Sequence, residues 1–249
     1  MYTALEFPGV TLALNVASVL MFAAGFWAAQ RLLGRGAANL FATLALLVGW
    51  FAEQMGSSRG WFFGRYTYTD VLGLQLGNVP VVIPLMWFAL CFTGYVMASF
   101  LLWRQPVPPR LGLGGALLVA WLAAMIVTAF DLGADPYFVF VLKAWVMQKT
   151  DGGWFGETLQ GFAGWMLIGG LIVLAFQLIA ASRLPASAPC PQSRIATLVP
   201  LSIYASALIF QLAFGHPIEI RAIAFFAMGI PLLVATTSWL QWTHSSQRA

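Results

Sequence analysis

The chain has 249 residues, of which 61% are hydrophobic and only 8% are charged. Soluble domains carry about 25% charged residues, and the mean hydropathy of +0.84 leaves too little polar surface to face water. A soluble enzyme, a nucleic-acid-binding protein and a disordered protein are therefore excluded. The net charge of +4 forms no basic patch, because the twelve Lys and Arg residues are scattered along the chain. The composition predicts a polytopic membrane protein.

Seven apolar segments are long enough, or nearly long enough, to cross a bilayer, which takes about 20 residues. They are continuous apolar runs, and backbone groups in lipid need internal partners, so each is expected to be a helix. The predicted fold is therefore an all-α membrane helix bundle, with residues 1–249 as a single membrane-embedded domain. The predicted spans are Val10–Gln30, Asn39–Met55, Pro80–Trp103, Leu111–Phe130, Leu159–Ala181, Ile195–Phe214 and Ile220–Leu240.

The first run has no basic segment before it, so we expect it to be a retained span rather than a cleaved signal. Cysteine usage predicts neither a disulfide framework nor a metal site. Cys91 lies inside an apolar run and Cys190 lies in a polar loop, with no CxxC or Cys/His spacing around them.

The charged residues are distributed unequally between the two predicted sides of the membrane. The connections after spans one, three and five, together with the C-terminal tail, hold seven basic residues and no acid, whereas the other side holds five basic residues and all eight acids. The positive-inside rule then places the N-terminus outside and the C-terminus in the cytoplasm, in the cell (inner) membrane. The basic residues of the cytoplasmic side are Arg31, Arg35, Arg104, Arg110, Arg183, Arg194 and Arg248.

Two predicted outer connections, Gly56–Val79 and Asp131–Thr158, are long and rich in Gly and aromatic residues. The second contains an apolar piece, Tyr137–Met147, which at about 11 residues is too short to span the membrane. We expect it to lie in the interface or to re-enter the membrane. Long loops on one face, with every acidic residue beside them, predict the position of a functional site.

Three carboxyl groups are candidate catalytic residues. Glu53 lies at the end of the second span, Asp131 closes the fourth span, and Asp135 follows one turn later. An ionisable group in a membrane helix is costly when buried, which makes it a functional candidate. The alternative is that these carboxylates reach the interface and are hydrated, and Asp135 with Pro136 also resembles a turn or helix-start signal.

Aromatic residues beside these acids are candidate binding residues. Tyr66 and Tyr68 alternate with polar residues in a pattern typical of an extended segment, and the neighbouring Arg65 can pair with Glu53 or Asp131 or face water. Many Trp residues fit an interfacial belt. That explanation is weaker for Trp residues within spans or in the long outer loop, namely Trp87, Trp165, Trp145 and Trp154.

Taken in order, these segments resemble the integral-membrane carotenoid hydratases of the CruF type. The resemblance covers roughly Trp50 to Trp165, and it rests on the ordered set rather than on any single motif. The matching segments are Glu53 followed by GSSRGWFFGRYTYTD, then VPVVIPLMW, DLGADP, Trp145, GGWFG and GFAGW.

The resemblance implies hydration of the terminal double bond of an acyclic carotenoid to a tertiary alcohol. An alkene is a poor base, so a desolvated carboxylic acid has to deliver the proton, aromatic faces can stabilise the tertiary cation, and a second polar group deprotonates water. Glu53 and Asp131 are the predicted acid and base, in either order, with Asp135 beside them. The predicted substrate-binding residues are Arg65, Tyr66, Tyr68, Trp87, Trp145, Trp154 and Trp165.

This chemistry requires no metal or redox cofactor. The expected partners are a carotenoid substrate and membrane lipid, with other carotenoid-pathway enzymes as a further class and no nucleic acid. His216 and His244 lie far apart in sequence, and no metal-ligand cluster is evident.

Other functions remain as alternatives. A membrane carotenoid cyclase would use the same cation but lose a proton after ring closure. A retinal photoreceptor needs a membrane-embedded Lys, whereas Lys143 and Lys149 both lie near the outer loop. A transporter is disfavoured because ionisable residues are absent from the middle of the spans. A carotenoid- or lipid-binding protein is the remaining alternative.

The predicted topology can be tested by cysteine accessibility in a Cys190→Ser background. Because the connections alternate sides, we expect Ser57→Cys to react with a membrane-impermeant reagent from outside, and Ser187→Cys to react only after permeabilisation. Labelling of both positions from one side would contradict the seven-span topology.

Overall fold

The computed structural model describes residues 8–183 and 194–245, so Glu6, Ser187, Cys190 and Arg248 lie outside the described residues. Within the described part of the chain, seven helices are long and apolar enough to cross a membrane, which confirms the predicted all-α bundle. They are α1 (Pro8–Leu33), α2 (Arg35–Arg59), α3 (Val82–Trp103), α4 (Leu113–Pro136), α5 (Leu159–Arg183), α6 (Arg194–Phe214) and α7 (Glu219–Ser245).

The second helix is longer than the predicted span Asn39–Met55, because its last turns are polar and do not register as apolar sequence. It continues through Ser57 and Ser58 to Arg59. Gly60, with φ 75°, then ends it in the left-handed conformation that glycine adopts without steric cost. Glu53 therefore lies inside the helix, nearly two turns from its end, rather than at its end.

The third helix forms the centre of the bundle, because nearly every residue from Val82 to Phe100 is buried. Phe41 of α2 packs among Phe88, Phe92 and Tyr95 of α3 and stacks on Phe176 of α5, with 4.4 Å between those two ring centroids. The outward faces of the peripheral helices are apolar, as a lipid environment requires. Exposed examples are Leu12, Leu20, Phe225, Phe226, Ile230 and Leu233.

One end of the bundle, where α2 and α4 end and α3 and α5 begin, carries a small amount of β structure, and we refer to it as the loop end. Strand β1 (Tyr66–Tyr68) pairs antiparallel with β4 (Trp145–Met147), so that Tyr68 lies opposite Trp145. A short hairpin of β2 (Gln75–Leu76) and β3 (Val79–Pro80) leads into α3.

The apolar piece Tyr137–Met147, predicted as a single interfacial or re-entrant segment, is divided in the structure. Its first half, Tyr137–Val141, continues α4 as a π-helical turn, and its second half forms β4. The helix passes through Pro136 because Phe138 and Val139 still find a buried environment, whereas Trp145 and Met147 find their backbone partners in β1. Tertiary pairing, which leaves no local signal in the sequence, decided this division.

The end of α4 is fixed by side chains from α6. The Tyr204 hydroxyl donates to the Ile126 carbonyl at 2.8 Å, and the Gln211 amide donates to the Phe130 carbonyl at 2.8 Å. Both donors are buried, so these bonds are not in competition with water. They hold the last turns of α4, including Asp131, in a defined position relative to α6.

Close packing of α3 against α4 predicts a stability effect at Gly94. A Cβ there would lie 2.8 Å from the Ala123 carbonyl oxygen, so Gly94→Ala should lower the free energy of unfolding by about 1–3 kcal/mol through overpacking. Thermal unfolding in detergent measures the effect. Gly114→Ala is the matched control, because nothing lies within 4 Å of its Cβ position. Equal stability of the two variants would contradict the close contact.

Candidate active site

A cavity of about 70 Å³ opens at the loop end between α2, α3, α4, α5 and the β1–β4 pair. A site of this volume has room for a few water molecules or for the end of a hydrocarbon chain. Eight of the ten residues predicted from the sequence line it. They are Glu53, Tyr66, Tyr68, Trp87, Asp131, Asp135, Trp145 and Trp165.

The Glu53 carboxylate is buried and accepts hydrogen bonds from three side chains. Tyr66 and Tyr68 both donate their hydroxyls to Oε2, the second at 2.8 Å, and the Trp87 indole donates to Oε1 at 2.9 Å. Only 5% of Glu53 is exposed. Three donors from β1 and α3 replace the water that this carboxylate would otherwise require.

The local sequence explains how three aromatic side chains reach one carboxylate. Tyr66 and Tyr68 lie two residues apart on a strand and therefore point to the same face. On α2, Gly49 and Gly56 lie one turn before and one turn after Glu53. A Cβ at Gly49 would lie 2.8 Å from the Trp87 ring, and one at Gly56 would lie 2.9 Å from the Tyr66 hydroxyl. The two glycines thus allow both aromatic residues to pack directly on the helix.

The two tyrosines are held as hydrogen-bond donors. Burial raises the pKa of Tyr66 and of Tyr68 well above the usual range, and the negative charge of Glu53 raises both further. Each hydroxyl therefore keeps its proton and donates a hydrogen bond to the carboxylate. This arrangement can stabilise the negative charge of Glu53 without a cationic partner.

The opposite wall carries two carboxyl groups from α4 in a different environment. Asp131 is 3% exposed, and among the described residues its Oδ2 atom has no hydrogen-bond partner. Asp135 is four residues later, on the same face of the helix, and its Oδ1 accepts from the Trp145 indole at 3.1 Å. The cavity therefore lies between one carboxylate with three donors and one buried carboxyl oxygen with none.

Aromatic rings form most of the remaining wall. Trp87 stacks on Trp165 with ring centroids 4.4 Å apart, and Phe138 stacks on Trp145 at 5.4 Å. Phe63 packs against both Trp87 and Trp165. Such a surface is suited to hold a hydrocarbon group and to stabilise a cation formed on it.

Arg65 and Trp154 lie outside the cavity. Arg65 immediately precedes β1, and its side chain is exposed. Trp154 does not line the cavity, and its indole donates to the Leu132 carbonyl at 3.0 Å and fixes the loop before α5. The structure therefore does not bring these two predicted substrate-binding residues to the site.

Other residues at the site were missed by the sequence analysis. Phe63, Phe130 and Phe138 line the cavity, and Glu157 is buried beside Asp135. Phe138 follows Asp131 by seven residues, so the helical repeat would have indicated it had α4 been predicted to continue beyond Phe130. Glu157 carries no such signal, because its position depends on a loop conformation.

The site provides no evident metal centre. Within residues 8–183 and 194–245, no group of three or more His, Cys, Asp and Glu side chains is arranged to hold a metal ion. Its chemistry is that of carboxyl groups, phenols and indoles around an apolar space.

The sequence matches the family described as carotenoid biosynthesis protein over residues 9–233. A similar protein is the bisanhydrobacterioruberin hydratase of Haloarcula japonica, with 29% identity over 140 residues. The match covers 56% of this chain and 44% of that relative, less than half of its length. No solved structure matches the chain. Because the family match extends over most of the sequence, the chain belongs to the carotenoid biosynthesis protein family.

Proposed function

We propose that this membrane protein is a carotenoid hydratase, which adds water to the terminal C=C of an acyclic carotenoid end group and forms a tertiary alcohol. The observation that carries the proposal is the pair of buried carboxyl groups, Glu53 and Asp131, across one small aromatic cavity. The relative named as a hydratase supports the same reaction type. Neither carboxyl group depends on a metal for the chemistry proposed below.

Asp131 is the proposed proton donor. Its buried Oδ2 has no protein donor among the described residues, whereas three donors stabilise the charge of Glu53. The Asp131 O–H bond breaks as a C–H bond forms at the CH carbon of the terminal double bond. The electron pair of the alkene makes that bond and leaves a tertiary cation on the carbon that bears the two methyl groups.

The aromatic wall and Glu53 then act on the cation. The faces of Trp87, Trp165 and Trp145 stabilise positive charge without forming a bond to it, and the Glu53 carboxylate adds a favourable charge interaction. The oxygen of a water molecule attacks the cation, and Glu53 takes the proton that this oxygen loses. The product is the tertiary alcohol, and before the next cycle Glu53 loses the proton that it took and Asp131 regains one.

The small cavity holds only an end of a carotenoid, so the polyene would extend along apolar helix surfaces into lipid. We propose a cell-membrane location with the loop end outside and the C-terminus in the cytoplasm. The described basic residues at the opposite end, among them Arg31, Arg35, Arg104 and Arg110, support that orientation. The proposed partners are the carotenoid and membrane lipid, with other enzymes of the pathway as a further class.

Substitution of the two carboxyl groups tests the mechanism. In a host that produces lycopene-type carotenoids, we expect the native chain to give a product heavier by one water, detected by mass spectrometry. Glu53→Gln and Asp131→Asn should each reduce hydrated product about 10²–10⁴-fold, because each removes a proton-transfer group.

Glu219→Gln is the matched control, because Glu219 is an exposed carboxylate at the start of α7. It should leave hydration unchanged. Full activity in both carboxyl variants would overturn the site assignment, and a product of unchanged mass from the native chain would indicate cyclisation instead of hydration.

Gly49→Ala separates positioning from proton transfer. The added methyl group would displace the Trp87 ring and break its hydrogen bond to Glu53, while both catalytic carboxyl groups remain. We expect hydrated product to fall about 10-fold or more, by loss of one charge-stabilising donor. Gly169→Ala is a control at an ordinary helix contact, with its nearest neighbour at 3.7 Å. Equal activity of the two would show that the Trp87 bond is dispensable.

A further inference from the structure

Glu157 is a buried acid that the reaction proposed above does not use. Only 2% of its surface is exposed, although the neighbouring residues Asp151 and Leu159 are exposed. A tight turn brings it inward, with Gly152 paired to Gly156 and Trp154 paired to Glu157. A Cβ is excluded at Gly152 by the Glu157 backbone. The turn therefore has a conformation that directs one carboxyl group toward the protein interior.

The turn is attached to α4 next to the catalytic aspartate. The Trp154 indole donates to the carbonyl of Leu132, the residue after Asp131. This contact places the Glu157 carboxyl group against the last turns of α4, close enough to Asp135 for the two carboxyl groups to share a hydrogen bond. The turn that carries Glu157 is thus connected to the part of α4 that forms the wall of the cavity.

A hydrogen bond between two carboxyl groups requires a proton on one of them, because carboxylates have only acceptor oxygens. Asp135 is fixed further by the Trp145 indole at its Oδ1 atom. Burial raises the pKa of Glu157 above its usual value, with a smaller opposing effect from the hydrogen bond to Asp135. The Asp135–Glu157 pair is therefore suited to share one proton.

Asp131 is the group that needs such a proton. It lies one helical turn before Asp135, both line the cavity, and Asp131 Oδ2 has no partner within the described ranges. Glu157 Oε1 is likewise buried and unpartnered among those residues. These two buried carboxyl oxygens without a partner can each accept a proton from Asp135 or a hydrogen bond from it.

We infer that Glu157 is a positioning residue that shares a proton with Asp135 and thereby reprotonates Asp131 between turnovers. This inference rests on the proposed hydration. An O–H bond of the pair breaks as the O–H bond of Asp131 forms, and the pair recovers a proton from hydronium in the aqueous phase at the loop end. Glu53 releases to that phase the proton it took from the attacking water, so that no proton is gained or lost over a cycle.

Among the residues that the structure describes, four further titratable groups line the cavity beside the pair. Asp131 is on the same helix, Glu53 lies across the cavity on α2, and Tyr66 and Tyr68 project from β1. Both tyrosines keep their protons, as described above. Charge changes near the pair are therefore expected from the carboxyl groups alone.

Glu157→Gln tests the inference, because the amide keeps the size of the side chain and can still donate to Asp135 but cannot carry the shared proton. The infrared band of protonated carboxyl groups in the purified protein gives a readout that is independent of activity. Loss of the second carboxyl group makes it easier for Asp135 to ionise. We expect the midpoint at which the buried proton is lost to fall by about one pH unit or more.

Activity is the second readout. Glu157→Gln should lower the rate of hydration about 10-fold or more, and the alkaline limb of its pH profile should move to lower pH in the same direction as the infrared midpoint. Asp151→Asn, an exposed carboxylate of the same loop, is the matched control and should change neither readout. Glu157→Ala should reduce activity further, since it also removes the contact with Asp135.

The outcomes separate the two proposals. An infrared response to Glu157→Gln together with no water addition by the native chain would support the proton-sharing pair and overturn the proposed hydration. Normal hydration with an unchanged pH profile and infrared midpoint in Glu157→Gln would overturn the inference. In that case a loss confined to Glu157→Ala would show that Glu157 only attaches the loop.

Discussion

The structure of the loop end depends on one constraint, the burial of a carboxylate in a membrane helix. Only 5% of Glu53 is exposed, and a charge buried in this way is costly unless neighbouring groups donate hydrogen bonds to it. Three donors, from Tyr66, Tyr68 and Trp87, supply the missing hydrogen bonds. The Glu53 carboxylate therefore holds β1 and the beginning of α3 against α2, and the cavity forms where these elements meet.

Other features of the loop end follow from the burial of Glu53. Aromatic donors can approach a helix only where its own side chains are small, and Gly49 and Gly56 provide those positions. Once Tyr66 and Tyr68 face inward, the rest of β1 is set by alternation, and its partner β4 brings Trp145 to Asp135. The two walls of the cavity are thus connected through the strand pair as well as through the bundle.

The two walls of the cavity differ in the hydrogen-bond donors that surround their carboxyl groups. Three donors contact Glu53, whereas Asp135 has the Trp145 indole and Asp131 Oδ2 has no partner among the described residues. In the proposed mechanism Asp131 carries the proton and Glu53 the negative charge, which is the polarity that addition of water to an alkene requires. The aromatic rings between them contribute no acid or base, and they suit a cation that must survive until water reaches it.

The sequence by itself determined the seven helices and the segregation of charge, because hydropathy and charge placement in a membrane protein are dictated by the lipid on every side. It also predicted the inward pair Tyr66 and Tyr68 and the carboxyl candidates Glu53 and Asp131, since strand alternation and the cost of buried charge are local properties. It placed Arg65 and Trp154 among the binding residues, although neither lines the cavity.

Only the tertiary structure decided which distant groups meet. The division of Tyr137–Met147 into a π-helical turn and a strand, the pairing of Trp145 with Tyr68, and the inward turn that buries Glu157 all depend on partners far away in the chain. Such contacts are set by packing and by the need to satisfy buried polar groups. Because these constraints act between elements rather than along the chain, no periodic pattern in the sequence predicts these contacts.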